Sequence, residues 1–304
     1  MNLSSIRPGR LEDLPELHRL HSSSLRSYFY DDLGSAEELD LLRGTIAVLM
    51  DQESNRLRGF LSLDSAPRSD ALPFSAPTKV SLRAAALSSG GAAARLQFRA
   101  LFEYARRQLP ANPHGYLFFA MTEQGWLQAS LREAGFDQSD AVRFYERRSR
   151  SIHPLHQPAS IRLAQPSDLP PLARLDAAAF EPMWHMGVAD LQTLQCDCRF
   201  EIAELATQTV GYSALRLNAD GFPNGHDSAQ LVRLAVHPQA QSLGIGRQLL
   251  VASLCYAQQL GIDRVFLNTQ ESNRPSQKLY ESLKFRKRGR AVPVLVKEDS
   301  HCQA

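Results

Sequence analysis

The chain has 304 residues, 43% hydrophobic and 22% charged, with Lys+Arg 34 against Asp+Glu 32 and a formal net charge of +2. A balance so near neutral argues against nucleic acid or an anionic membrane as the main partner, since both call for a basic face. No apolar run reaches the roughly 18 residues of a transmembrane helix, residues 1–14 lack the apolar core of a signal peptide, and Cys196, Cys198, Cys255 and Cys302 are too few and too unevenly placed for a disulfide framework. A soluble, cytoplasmic protein is expected, with no nucleic acid and no membrane among its partners.

Residues 6–20, IRPGRLEDLPELHRL, predict a short strand, a turn with Asp13 near the helix start, and an amphipathic helix with Pro15 in its first turn. A proline there costs little, because that N–H has no partner inside the helix. Residues 96–109 carry a helical pattern, 115–121 an apolar run, and 126–136 a second helix ending in Gly135-Phe136. Residues 148–160, RSRSIHPLHQPAS, are rich in Pro, Ser and His, show neither hydrophobic period and read as a joint. Beyond it the order repeats. Residues 161–175, IRLAQPSDLPPLARL, share eight of fifteen positions with residues 6–20. A helix is predicted over 247–261, a strand over 264–268 and a helix over 273–285, and Tyr256-Ala257 falls where Tyr104-Ala105 falls. The chain therefore reads as two copies of one mixed α/β unit, residues 1–148 and 160–304, with a linker over 149–159.

The chemistry is concentrated in residues 230–261. Leu231 to Val236 predicts a strand, and His237-Pro238 ends it because proline cannot donate to a sheet ladder. Gln241-Ser242-Leu243-Gly244-Ile245-Gly246 then runs directly into a helix with Leu250, Leu254 and Ala257 at i, i+4 and i+7 on one face. The first four N–H groups of a helix lack internal partners and carry the positive end of its dipole, so such a start can hold an anion. Gly244 and Gly246 would let a phosphate reach the backbone, with Gln241 and Arg247 adding donors. Glycines serving only a tight strand-to-helix turn are the competing reading. Leu249 stands where a dinucleotide fingerprint needs its third glycine, and no Gly-Lys-Ser/Thr of a P-loop is present.

The motif Q-x-x-G-x-G over residues 241–246, followed by Asn273 and by Leu279-Tyr280 ahead of Phe285, resembles the GNAT superfamily of acyl-CoA-dependent N-acyltransferases. The resemblance is strongest over about residues 230–285. It implies two tandem GNAT folds of the α/β class, each a mixed sheet, and acetyl-CoA as co-substrate. It implies a CoA pyrophosphate on the backbone of Gln241, Ser242, Leu243, Gly244, Ile245, Gly246 and Arg247, and a pantetheine arm along Leu234, Ala235 and Val236. Asn273 would touch the cofactor, and Tyr280 would protonate the departing thiolate. Asn273 also suits a plain helix cap, and Tyr280 a core position.

One departure stands out. The strand 231–236 reads LVRLAV and holds no carboxylate, where many family members carry one to deprotonate the acceptor amine. His237 and Glu271 are the nearby bases, although either could be a loop residue without a catalytic role. Arg233 suggests an anionic or carbonyl-bearing acceptor, or simply a surface position. Phe180, Trp184 and Met186 line a pocket or form core. Cys196-x-Cys198 with His185 lacks the spacing of a zinc site, and no metal is expected.

In the first copy Ser89, Ala92 and Ala94 fall opposite Gln241, Gly244 and Gly246, and Leu131 falls opposite Tyr280. That copy is expected to fold without catalysing and to shape the acceptor cleft. The expected activity is transfer of acetyl from acetyl-CoA to a primary amine of a small molecule or peptide; the alternative is a non-catalytic acyl-CoA sensor or scaffold. The protein is expected to act as a monomer, an internal pseudo-dimer, or as a homodimer.

Overall fold

The structure is a computed structural model that describes residues 5–30, 44–51, 53, 54, 56–65, 77–148, 157–217 and 228–299. Residues 149–156 of the expected linker lie outside the described residues. The first half runs β1 (Ile6–Pro8), α1 (Leu14–Ser23), β2 (Ser27–Phe29), β3 (Thr45–Met50), β4 (Leu57–Ser65), β5 (Thr78–Leu87), α2 (Gly91–Arg107), β6 (Tyr116–Met121), α3 (Gly125–Glu133) and β7 (Asp137–Arg148). The second runs β8 (Ser160–Leu163), α4 (Leu169–Ala179), α5 (Val188–Asp197), β9 (Cys198–Leu205), β10 (Gln208–Leu217), β11 (Ser228–Val236), α6 (Ile245–Gln259), β12 (Arg264–Gln270), α7 (Arg274–Ser282) and β13 (Arg286–Asp299).

The repeat seen in the sequence is a repeat of contacts. Arg7 Nη1 and Nη2 donate to the Asp13 carboxylate, both at 2.7 Å, and Arg162 grips Asp168 through the same atoms at 2.8 and 2.9 Å. Each aspartate also accepts from the backbone three residues earlier, Arg10 N at 2.8 Å and Gln165 N at 2.7 Å, so it locks strand, turn and helix entry together. The helices α3 and α7 end alike. Phe136 N donates to Leu131 O and Phe285 N to Tyr280 O, each at 3.0 Å, across a left-handed residue, Gly135 or Lys284. This turn ends α7 at Ser282 rather than at Phe285, and it folds Phe285 back into the core.

Among the described residues all thirteen strands belong to one mixed sheet, in the order β1-β3-β4-β5-β6-β13-β7-β12-β11-β10-β9-β8, with β2 paired to β5 off that path. The halves exchange their last strands: β13 pairs with β6, β7 pairs with β12, and β13 and β7 pair with each other at the centre. Packing follows the exchange. Leu295 of β13 is buried in the core of the first half, under α2 and α3, and Tyr145 of β7 in the core of the second, under α6 and α7. At the joint Glu146 is 6% exposed and takes Arg148, Arg264 at 2.8 Å and Arg288 at 2.9 Å. Burial opposes its charge, but the arginines outweigh burial and hold its carboxyl below the usual range. The mixed α/β sheet expected from sequence is present; the exchange that fuses two sheets into one was not anticipated.

Candidate active site

The parallel strands β11 and β12 pair only from Ser228 to Leu231, against Arg264 to Leu267. On the β10 side Leu215 faces Leu231 and Ala214 faces Arg233, so Val232 is an extra residue in β11. Such a bulge bends its strand. Beyond it β11 stays with β10 while β12 stays with β7 as far as Gln270, and the two strands part. The open edge of β11 over Leu234, Ala235 and Val236 thus faces a gap, with peptide groups that need partners from outside the sheet.

The gap leads to the start of α6. His237 caps a 3-10 turn over Pro238–Ala240, its Nδ1 accepting from Gln239 N at 3.3 Å. Gln241 Nε2 donates to Val236 O at 3.2 Å and fixes the turn to the strand end. Ser242 and Gly244 take left-handed φ values of 65° and 85°, which turn the chain into the helix. Gln248 N reaches Gly244 O at 3.0 Å. The N–H groups of Ser242 through Arg247 find no acceptor among the described residues. Six such donors at the positive end of a helix make a start that suits an anion. A Cβ on Gly246 would stand 3.5 Å from Val236 Cγ2 and 3.7 Å from Leu279 Cδ2, ordinary contacts, so the protein itself leaves room for a methyl there.

These elements bound a cleft of about 820 Å³. Of the residues singled out from sequence, Leu234, Ala235, Val236, Gln241, Ser242, Gly244, Ile245, Gly246, Arg247 and Asn273 line it. Leu243 does not; it is 53% exposed on the outside of the turn. Arg247 Nη1 donates to Ser282 Oγ at 2.8 Å. Asn273 Oδ1 accepts from Ser276 N at 3.2 Å, so Asn273 caps α7 as well as lining the cleft. Phe180 and Trp184, both in contact with Arg233, line the cleft with Glu181, Gln270 and Ser272.

The acid and base candidates lie behind this lining. Tyr280 is buried on α7 against the rings of Tyr145 and Phe285. Burial pushes its phenol up to about 12, against a hydrogen bond from Ser276, itself a lining residue. His237 sits at the strand end outside the cleft, and the Glu271 carboxylate pairs with Arg143 of β7. Neither lines the cleft; Glu181 does.

Sequence reasoning missed a buried cluster beneath the end walled by Phe180 and Trp184. Asp176 on α4 is 0% exposed and accepts from Tyr212 Oη, from Arg233 Nε at 2.9 Å and Nη2 at 2.8 Å, and from Met186 N at 2.7 Å. Arg233 also donates to Trp184 O at 2.7 Å, and its guanidinium lies 3.6 Å from the centre of the Phe180 ring. Burial works against the Arg233 charge, but Asp176 outweighs it and holds the guanidinium above its ordinary pKa. Arg233 is therefore neither a surface residue nor a free anion receptor: it braces the loop that walls the cleft. The available signal was Asp176 itself, which continues the buried face of Leu169, Leu172 and Ala173 on α4. The first half braces the other walls. Lys79 Nζ donates to His185 O at 2.8 Å, Glu271 N to Ala141 O at 2.7 Å, and Ser272 Oγ to Asp140 Oδ2 at 2.5 Å.

Comparison with known proteins bears on the family and the fold. Residues 169–285 match the acetyltransferase (GNAT) family. A mycothiol acetyltransferase from Thermomonospora curvata is 29% identical over 261 residues, 81% of each chain. A ribosomal protein bS18-alanine N-acetyltransferase from Haemophilus ducreyi is 41% identical over 59 residues, 19% of this chain and 41% of that one. In fold, a tandem GNAT protein from the clavulanic acid biosynthesis pathway superposes with a TM-score of 0.59 at 14% identity, covering 96% of this chain and 98% of that one. Residues 169–285 belong to the GNAT acetyltransferase family, the chain as a whole has a tandem GNAT fold, and it is an acetyl-CoA-dependent N-acetyltransferase.

Proposed function

We propose that the cleft binds acetyl-CoA with its pyrophosphate on the backbone of Gln241 to Arg247 and its pantetheine arm along Leu234, Ala235 and Val236, and passes the acetyl group to a primary amine entering between Phe180, Glu181 and Trp184. One observation carries the reading: the unaccepted N–H groups of Ser242 to Arg247 continue directly into the open edge of β11. An anion site joined to an open strand edge suits a ligand that is a diphosphate at one end and an extended diamide at the other.

The chemistry follows from charge. The neutral amine attacks the thioester carbonyl, the C–S bond breaks, and the departing thiolate takes a proton. Tyr280 supplies it by way of the hydroxyl of Ser276, which lines the cleft and bonds the phenol, since a phenol with a pKa near 12 stays protonated at neutral pH. Glu181, the carboxylate among the lining residues, meets the acceptor's ammonium and draws off its proton in place of His237 or Glu271. The first half acts as a non-catalytic copy: Leu131, whose carbonyl ends α3 as Tyr280's ends α7, has no proton to give.

The test combines calorimetry with a free-thiol assay over a panel of primary amines. Tyr280→Phe should keep acetyl-CoA affinity within about twofold and lower kcat by roughly 100-fold or more. Unchanged kcat would remove Tyr280 from the mechanism. Binding of acetyl-CoA without turnover of any amine would favour the sensor instead.

A further inference from the structure

We propose that the first half retains a slot of the same kind and fills it with its own strand β2, so that each chain binds one acyl-CoA. The proposal rests on the reading of the β11–β12 gap as the pantetheine slot.

The two halves open in the same way. In β5, as in β11, parallel pairing to the next strand stops after four residues, Thr78 to Ser81 against Tyr116 to Phe119. A bulge follows at once: Ser62 faces Ala84 and Leu63 faces Leu82, leaving Arg83 as the extra residue where β11 has Val232. Gly59 faces Leu87 as Gly211 faces Val236, so Ala84, Ala85 and Ala86 stand where Arg233, Leu234 and Ala235 stand in the second half.

In the second half this edge faces the cleft. In the first it carries a strand, with Ser27, Tyr28 and Phe29 of β2 pairing with Ala86, Ala85 and Ala84. Backbone bonds extend the pairing at both ends, Leu87 N to Arg26 O at 3.0 Å and Tyr30 N to Arg83 O at 2.7 Å. Tyr28 crosses the gap: it is buried, and its hydroxyl donates to Met121 O, at the end of β6, at 3.0 Å. Arg83 donates to Tyr30 O at 2.8 Å, and its guanidinium lies 4.6 Å from the centre of the Phe29 ring. At the start of α2 the Arg26 guanidinium lies so close to Gly90 that a Cβ there would be 2.9 Å from Nη2. Strand β2 thus supplies the extended backbone, and Arg26 covers the helix start.

The sequence explains why the halves differ. After α1 the chain offers Ser27-Tyr28-Phe29, a good strand, to three alanines that leave room for it. After α4 it offers Glu181-Pro182, and the proline nitrogen cannot donate to a sheet. That segment turns into a 3-10 helix over Pro182–Trp184, which Arg233 holds at the rim through Trp184 O.

Hydrogen exchange on the full chain, with and without acetyl-CoA, tests this together with calorimetric stoichiometry. In the ligand-free protein the amides of Tyr30 and Leu87 should exchange about 100-fold or more slowly than unstructured amides, and those of the cradle, Ser242 to Arg247, near the unprotected rate. Saturating acetyl-CoA should slow exchange in the cradle, leave Tyr30 and Leu87 unchanged, and bind at one per chain. Fast exchange at Tyr30 and Leu87 in the free protein overturns the proposal, as does a stoichiometry of two. Slow exchange there with no acetyl-CoA binding at all would sink the reading of the cleft while leaving a filled first slot.

Discussion

Removing the carboxylate of Asp176 is the sharpest test of how the acceptor end is built. Asp176 is fully buried and accepts four hydrogen bonds, two from Arg233 and one each from Tyr212 and Met186. Asp176→Ala leaves a guanidinium whose side chain is 10% exposed without its counter-charge. Breaking a buried ion pair in this way costs about 3–5 kcal/mol, several times a surface pair. The freed Tyr212 hydroxyl adds to the loss, though not additively. In urea unfolding the midpoint should fall by an amount equivalent to about 4 kcal/mol at unchanged slope. The double variant Asp176→Leu with Arg233→Met should recover most of that stability, because an apolar pair of similar volume is close to neutral. Both variants lose the bond from Met186 N to Asp176, and the double variant also loses the one from Arg233 to Trp184 O, so KM for the amine should rise while acetyl-CoA affinity holds. A single variant within about 1 kcal/mol of the parent, or a double variant no better than the single, would refute the argument.

Gly246→Ala separates ligand binding from folding. The fold has room for the methyl, and alanine in a helix is favoured over glycine by up to about 1 kcal/mol, so thermal stability should hold or rise while acetyl-CoA affinity falls. Affinity unchanged in calorimetry would mean that no ligand approaches this backbone. The buried phenols of Tyr145 and Tyr280 both lie at about 12, against an ordinary 10.0. A raised pKa means that the folded state keeps a proton which the unfolded state gives up. Their contribution, about 2–3 kcal/mol each by linkage, is complete below pH 10 and lost as pH rises towards 12. Melting temperatures from pH 8 to 11.5, with phenolate absorbance followed in parallel, check this; native titration of both tyrosines near pH 10 would contradict it.

The glycine turn into α6 was legible because its requirements are local. Glycines, a helix start and a strand cut short by His237-Pro238 occupy consecutive residues, and their physics acts within two turns of chain. The repeat was legible for the same reason: Arg7 and Asp13, like Arg162 and Asp168, stand six residues apart and meet without help from the rest of the fold. The role of Arg233 was not legible. A strand arginine becomes a buried brace only when a helix 57 residues away in sequence places Asp176 beneath it. The same holds for the plug of β2 and for the exchange of β7 and β13. Each depends on which strand edge is left open once the sheet has assembled, and an edge belongs to the sheet, since open backbone groups take whatever partner the tertiary structure brings. The sequence by itself determined the tandem α/β units and the helix start that suits an anion. Only the tertiary structure decided that one slot is open, that the other is filled, and that the first half braces the walls of a cleft lined by the second.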